Sequence, residues 1–139
     1  MDEPDFFSSA PLDERVVAIL GLGLMGGSLA LALHGKCKTL LGVDPDPQVV
    51  EMALDRRVVD HASVSSRDLL PQADLVILAA PVGAILSLLR SLPDQHPGPA
   101  VVLDLGSTKR QIVGAMQALP PRFDPVGGHP MAGKEVASL

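Results

Sequence analysis

Gly21, Gly23 and Gly26 stand in the pattern G-x-G-x-x-G within GLGLMGGSLA, directly after the apolar run RVVAIL. Where a chain turns from a strand into a helix, that spacing has a physical purpose. The first glycine permits the tight turn, the second brings backbone against a pyrophosphate, and the third lets helix and strand pack closely. Leu24 and Met25 fall between the second and third, at a helix start whose free N–H groups and positive dipole end favour phosphate. A glycine-rich turn that serves packing alone would carry the same glycines. The discriminating residue is Asp44, which ends the next apolar run, TLLGVD, about where a carboxylate takes the ribose hydroxyls of a bound dinucleotide. That carboxylate also repels a 2′-phosphate, and Pro45, Asp46 and Pro47 behind it bring no cation. The cofactor expected is therefore NAD, with Arg56 and Arg57 on the following helix keeping NADP open.

Three later stretches carry further candidates. AAPVG places Ala80, Pro81 and Val82 at a strand end, either as an apolar wall for a nicotinamide ribose or as an ordinary helix start. In DLGSTKRQ, Thr108 and Gln111 form a capping box, so a helix begins there with Lys109 and Arg110 in its first turn. Cations are disfavoured at that end of the dipole, and an anionic cofactor or substrate over it would compensate, with Ser107 facing the same space. In GGHPMAGKE, His129 lies between two glycines and a proline, on a sharp loop rather than an apolar helix face. Histidine accepts a proton near neutral pH, and a base is what oxidation of an alcohol by NAD requires. His34, His61 and His96 carry the ordinary structural or exposed reading.

The elements that must position these residues follow from hydrophobic patterning. Short β-branched runs alternate with longer helical patterns from Arg15 onward, the signature of βαβ units in a parallel sheet. Strands are expected at RVVAIL, TLLGVD, weakly near ASV, and at DLVILAA, AVVLDLG and FDPVGG. Helices are expected over 26–34, 47–57, 82–92 and 109–119, with Gly35 ending the first, Asp46 and Pro47 opening the second, and Pro93 stopping the third. The fold class is α/β: a Rossmann-type, doubly wound, mainly parallel sheet with helices on both faces. Residues 1–14, acidic and broken by proline, read as a loose arm, and residues 15–139 as one NAD-binding domain.

Composition narrows the function classes. With 47% hydrophobic and 19% charged residues, the 139-residue chain has the balance of a folded domain. A net charge of −5, no Trp or Tyr and three Phe argue against nucleic acid as a partner. The apolar runs are interrupted by proline and glycine, so no membrane span is expected. One cysteine, Cys37, forms no internal disulfide or cysteine-rich metal site, which points to a reducing cytoplasm. No metal is expected.

GLGLMGGSLA, Asp44, LAAPV, DLGSTK and GGHPMAGKE, in this order, resemble the nucleotide-binding domain of the prephenate and arogenate dehydrogenase family of tyrosine biosynthesis. The resemblance covers nearly all of the chain from Val16 onward. It implies NAD-dependent oxidative decarboxylation of prephenate or arogenate, with His129 taking the ring hydroxyl proton. It further implies that Ser107 lies near the nicotinamide and the catalytic histidine, and that Lys109 lies near substrate. Such enzymes continue into a helical second domain that supplies the dimer interface and an arginine for the substrate carboxylate. The chain is thus expected to be a truncated cofactor-binding part, weakly active or inactive alone, of a homodimeric protein. The alternatives are a β-hydroxyacid dehydrogenase-like oxidoreductase, whose glycine loop is similar, and a nonenzymatic NAD-sensing module.

Overall fold

The computed structural model describes residues 11–106 and 109–127. Six strands, β1 (Val16–Leu20), β2 (Thr39–Val43), β3 (His61–Ser63), β4 (Leu75–Leu78), β5 (Ala100–Asp104) and β6 (Phe123–Gly127), form one sheet in the order β3-β2-β1-β4-β5-β6. Every pairing is parallel; Ala18 on the central strand lies beside Leu41 of β2 and Val76 of β4. The expected Rossmann-type, doubly wound architecture is what the chain adopts. Helices α1 (Leu24–Leu33), α2 (Pro47–Asp55), α3 (Ser66–Leu69), α4 (Val82–Gln95) and α5 (Lys109–Gln117) connect the strands.

The near-continuous apolar runs make sense on a sheet covered on both faces. Side chains of β1 alternate between two cores: Val17 and Ile19 join Leu40, Ile77 and Ala30 on one face, while Ala18 and Leu20 join Leu41, Val76, Leu78 and Ile85 on the other. Val17, Ala18 and Ile19 are fully buried. At the N-terminal edge of the sheet, aspartates extend the ladders. The Asp74 carboxylate accepts from the Val16 N–H at 2.8 Å, and that of Asp60 accepts from the Leu40 N–H at 2.7 Å. His96 is buried there, its Nε2 2.7 Å from the Ala73 carbonyl and its Nδ1 accepting the Gly98 N–H at 2.7 Å, with its ring edge-on to Phe123. Its role is structural, as expected, whereas His34 and His61 are exposed.

Local signals placed most boundaries. Gly35, at φ +79°, ends α1, and the Asp46 side chain caps α2 by accepting from the Gln48 N–H, with Pro47 next. Pro93 does not stop its helix, contrary to expectation: α4 runs through it to Gln95. In the last turn a proline forfeits one N–H, here the partner of the Leu89 carbonyl. The turn is held by the buried Leu92, by the His96 N–H on the Leu92 carbonyl, and by Arg122 donating to the Pro93 carbonyl at 2.8 Å. Helix α1 begins at Leu24, two residues earlier than expected, because Gly23 is already its N-cap. Helices α2 and α5 close two residues short of expectation, at Asp55 and Gln117, each ending in tight i→i+3 turns. The short α3 and a 3-10 turn at Leu12–Glu14 carried no recognised signal.

Candidate functional site

With every strand parallel, the C-terminal ends of β1, β2, β4, β5 and β6 share one edge. Strand order reverses direction between β1 and β4, the place where an open α/β sheet leaves a crevice. A cleft of about 630 Å³ opens there. Gly21 and Gly23 line it from the β1 end, Asp44 and Pro45 from the β2 end, and Ala79, Ala80 and Pro81 from the β4 end. Val64 and Ser66 close it beyond β3, and Ala84, Ser87 and Leu88 of α4 form its floor.

The three glycines divide their work between packing and open space. Gly21 sits at φ +104°, and a Cβ there would lie 2.6 Å from the Ala79 carbonyl oxygen. A Cβ on Gly26 would collide with the Gly21 carbonyl, so this residue lets α1 press against the β1 end. Gly23 is different: its φ of −71° suits any residue, and nothing lies within 4 Å of where its Cβ would be. No protein atom requires glycine there, and bare backbone facing open space is what close approach to a pyrophosphate would need. No side chain caps the first turn of α1 and no acid lies in it, so its backbone donors are available to an anion.

Asp44 is the one ionisable side chain among the described residues lining the cleft. It is half-buried, and its carboxylate accepts from the Leu22 and Asp46 N–H groups, both at 2.9 Å. Each oxygen keeps a lone pair for a ribose hydroxyl. Neither Arg56 nor Arg57 lines the cleft; Arg56 borders a separate groove between α1 and α2. No cation faces Asp44 from the described lining, an arrangement suited to ribose hydroxyls and hostile to a 2′-phosphate.

Of the residues expected to bind cofactor, Gly21, Gly23, Asp44, Ala80 and Pro81 meet in this cleft. Gly26 is buried beneath the loop, Leu24 and Met25 point outward with 93% and 46% exposure, and Val82 leans on the core without lining the cleft. Lys109 opens α5, with its side chain outside the described residues, as are Ser107, Thr108 and His129. The strands before them are described: β5 and β6 are parallel and in register with Asp104 beside Gly127, so the two strands end side by side on the C-terminal edge of the sheet, the edge at which the cleft opens. Asp104 is fully buried and accepts the Gly106 N–H at 2.6 Å, fixing the turn into the first. Ala84, Ser87 and Leu88 were not anticipated, although with Pro81 they fall three to four residues apart, on one face of a helix. Cys37 lies away from the cleft, its thiol pushed up from the ordinary value by burial and by the nearby Asp60 carboxylate. No helix among the described residues is long and apolar enough to cross a membrane.

Residues 29–138 match the family described as prephenate dehydrogenase, nucleotide-binding domain. The chain belongs to that family. The glycine loop precedes the matched stretch, but relatives extend over it. The chain is 39% identical over 129 residues to the prephenate dehydrogenase of Bacillus subtilis, covering 88% of this chain and 34% of that protein. Among solved structures, prephenate dehydrogenase from A. aeolicus, in complex with hydroxyphenyl propionate and NAD+, superposes with a TM-score of 0.76 at 32% identity, over 88% of this chain and 43% of that one. The Synechocystis arogenate dehydrogenase gives 0.75 at 34%, over 83% and 40%. The chain thus spans between a third and a half of the length of these relatives.

Proposed function

We propose that this domain holds NAD for the oxidative decarboxylation of prephenate or arogenate. The carrying observation is the cleft at the strand-order reversal, with no protein atom within 4 Å of a Cβ at Gly23 on one side and Asp44 as its one described ionisable wall residue. The N–H groups at the start of α1 hold the pyrophosphate, and Asp44 accepts the adenosine ribose hydroxyls. When bound there, NAD supplies the two-electron acceptor for a hydride from the ring carbinol carbon. His129 takes the hydroxyl proton of that carbon, and carbon dioxide leaves as the ring becomes aromatic. Ser107 orients this exchange and Lys109 offers a cation to the substrate. The register of Asp104 with Gly127, which starts both segments from adjacent strands, supports placing them together. This chain spans 34% of the Bacillus subtilis relative and 43% of the A. aeolicus one, and the reading assigns completion of the substrate pocket and a homodimer interface to a second domain. The single cysteine fits a cytoplasmic setting.

Two measurements test this reading. Calorimetric titration of the 139-residue chain should give tighter binding of NAD than of NADP; equal or reversed affinities overturn the cofactor assignment. In a chain lengthened to the family's full extent, His129→Asn should abolish turnover of both substrates while leaving NAD affinity nearly intact. Retained turnover overturns the assignment of the base.

A further inference from the structure

We infer that Asp44 is a positioning residue for the glycine loop, stapling it to the β2–α2 turn before any cofactor arrives. The β1–β2 ladder ends where the Gly21 N–H donates to the Val43 carbonyl at 2.7 Å. Beyond that point the two chains diverge, and the Asp44 side chain supplies the next rung. Its Oδ2 accepts the Leu22 N–H and its Oδ1 the Asp46 N–H, so one carboxylate ties together the turns leaving two strands. Leu22 lies between the first two glycines with 9% exposure, its side chain packed with Val59 and Ala53, so its N–H has little water to fall back on. Loss of the carboxylate leaves both donors without that partner and frees the loop whose backbone must meet the pyrophosphate. Asp44 therefore joins two properties that are usually treated separately: recognition of the adenosine ribose and the resting shape of the phosphate loop. Replacing it to admit a 2′-phosphate would also loosen the phosphate cradle.

The binding arm of the test rests on the NAD reading above; the exchange arm does not. In the cofactor-free chain, Asp44→Ala should speed amide exchange at Leu22 and Asp46 about tenfold, the value of one hydrogen bond. The β1 amides of Val17 to Leu20 should be unchanged. Asp44→Asn, which keeps one carbonyl oxygen, should restore protection at one of the two amides. In titrations, Asp44→Ala should weaken binding of NAD lacking both adenosine ribose hydroxyls about tenfold, although that analogue has no ribose hydroxyl to lose. Unchanged exchange at Leu22, or unchanged or tighter binding of the analogue, overturns the proposal. A parent chain that binds no NAD overturns the cofactor reading instead, and the exchange data then decide the staple alone.

Discussion

Substituting Gly23 by valine should separate binding from folding. The residue has φ −71° and open space where a Cβ would stand, so the folded chain has no clash to relieve. Exchanging an N-cap glycine for an apolar residue, offset by reduced freedom in the unfolded chain, leaves stability within about 1 kcal/mol. The cofactor loses far more. Two charge-assisted bonds from loop N–H groups to the pyrophosphate, each worth about 1.5–3 kcal/mol, sum to about 3–6 kcal/mol, or a loss of about 10² to 10⁴ in affinity. Gly26→Ala is the control with the opposite signature, because its methyl group meets the Gly21 carbonyl and the helix must move; about 1–3 kcal/mol or more of stability is lost. Thermal unfolding followed by circular dichroism and calorimetric NAD titration read the two quantities separately. A folded Gly23→Val chain that binds NAD like the parent, or one that unfolds as readily as Gly26→Ala, would refute the assignment of the Gly23 backbone to the pyrophosphate.

Three further outcomes follow from described contacts. Ala84→Phe, on the exposed side of α4 where it lines the cleft, should leave the melting temperature within a few degrees and reduce NAD affinity at least severalfold by titration, by filling the floor. His96→Phe keeps the packing on Phe123 but deprives the Ala73 carbonyl and Gly98 N–H of their partner; urea unfolding should show a loss of about 1–3 kcal/mol with NAD affinity unchanged. Cys37 should react slowly with a thiol reagent at pH 7. Because burial and Asp60 raise its pKa above the ordinary 9.0, the rate should climb only in more alkaline buffer than an unhindered thiol needs.

The glycine loop, Asp44 and the parallel sheet were legible because each rests on local chemistry: a turn that needs glycine, a carboxylate at a strand end, apolar runs of strand length. The α4 floor was harder to read. Leu88 in an apolar helix suggests core, and only the pairing of β1 with β4 turns that helix toward the cleft. Val64 and Ser66 reach the site through the β2–β3 pairing, a long-range contact that periodicity does not specify. Pro93 misled because a proline forfeits its own N–H bond and strains the turn before it, and the contacts that hold this turn, buried Leu92, the His96 N–H on the Leu92 carbonyl and Arg122 on the Pro93 carbonyl, are not specified by the local sequence. Leu24 and Met25 belong to the candidate site through backbone alone: both side chains are exposed, and the first turn of a helix offers a ligand its free N–H groups.

The outermost strands also bear on how this molecule behaves in a crowded solution. Among the described residues the sheet has two unpaired sides, and an unpaired side can template the addition of a foreign strand. On one side, β3 is three residues long, too short to offer more than a couple of bonds. On the other, β6 is five residues long but carries Pro125, which has no N–H to give. Both flanks are poor seeds for sheet-to-sheet accretion. Self-association of the described part by strand addition is thus guarded against at both ends, and the molecule can keep a highly apolar interior strand set without exposing it as an amyloid-like template.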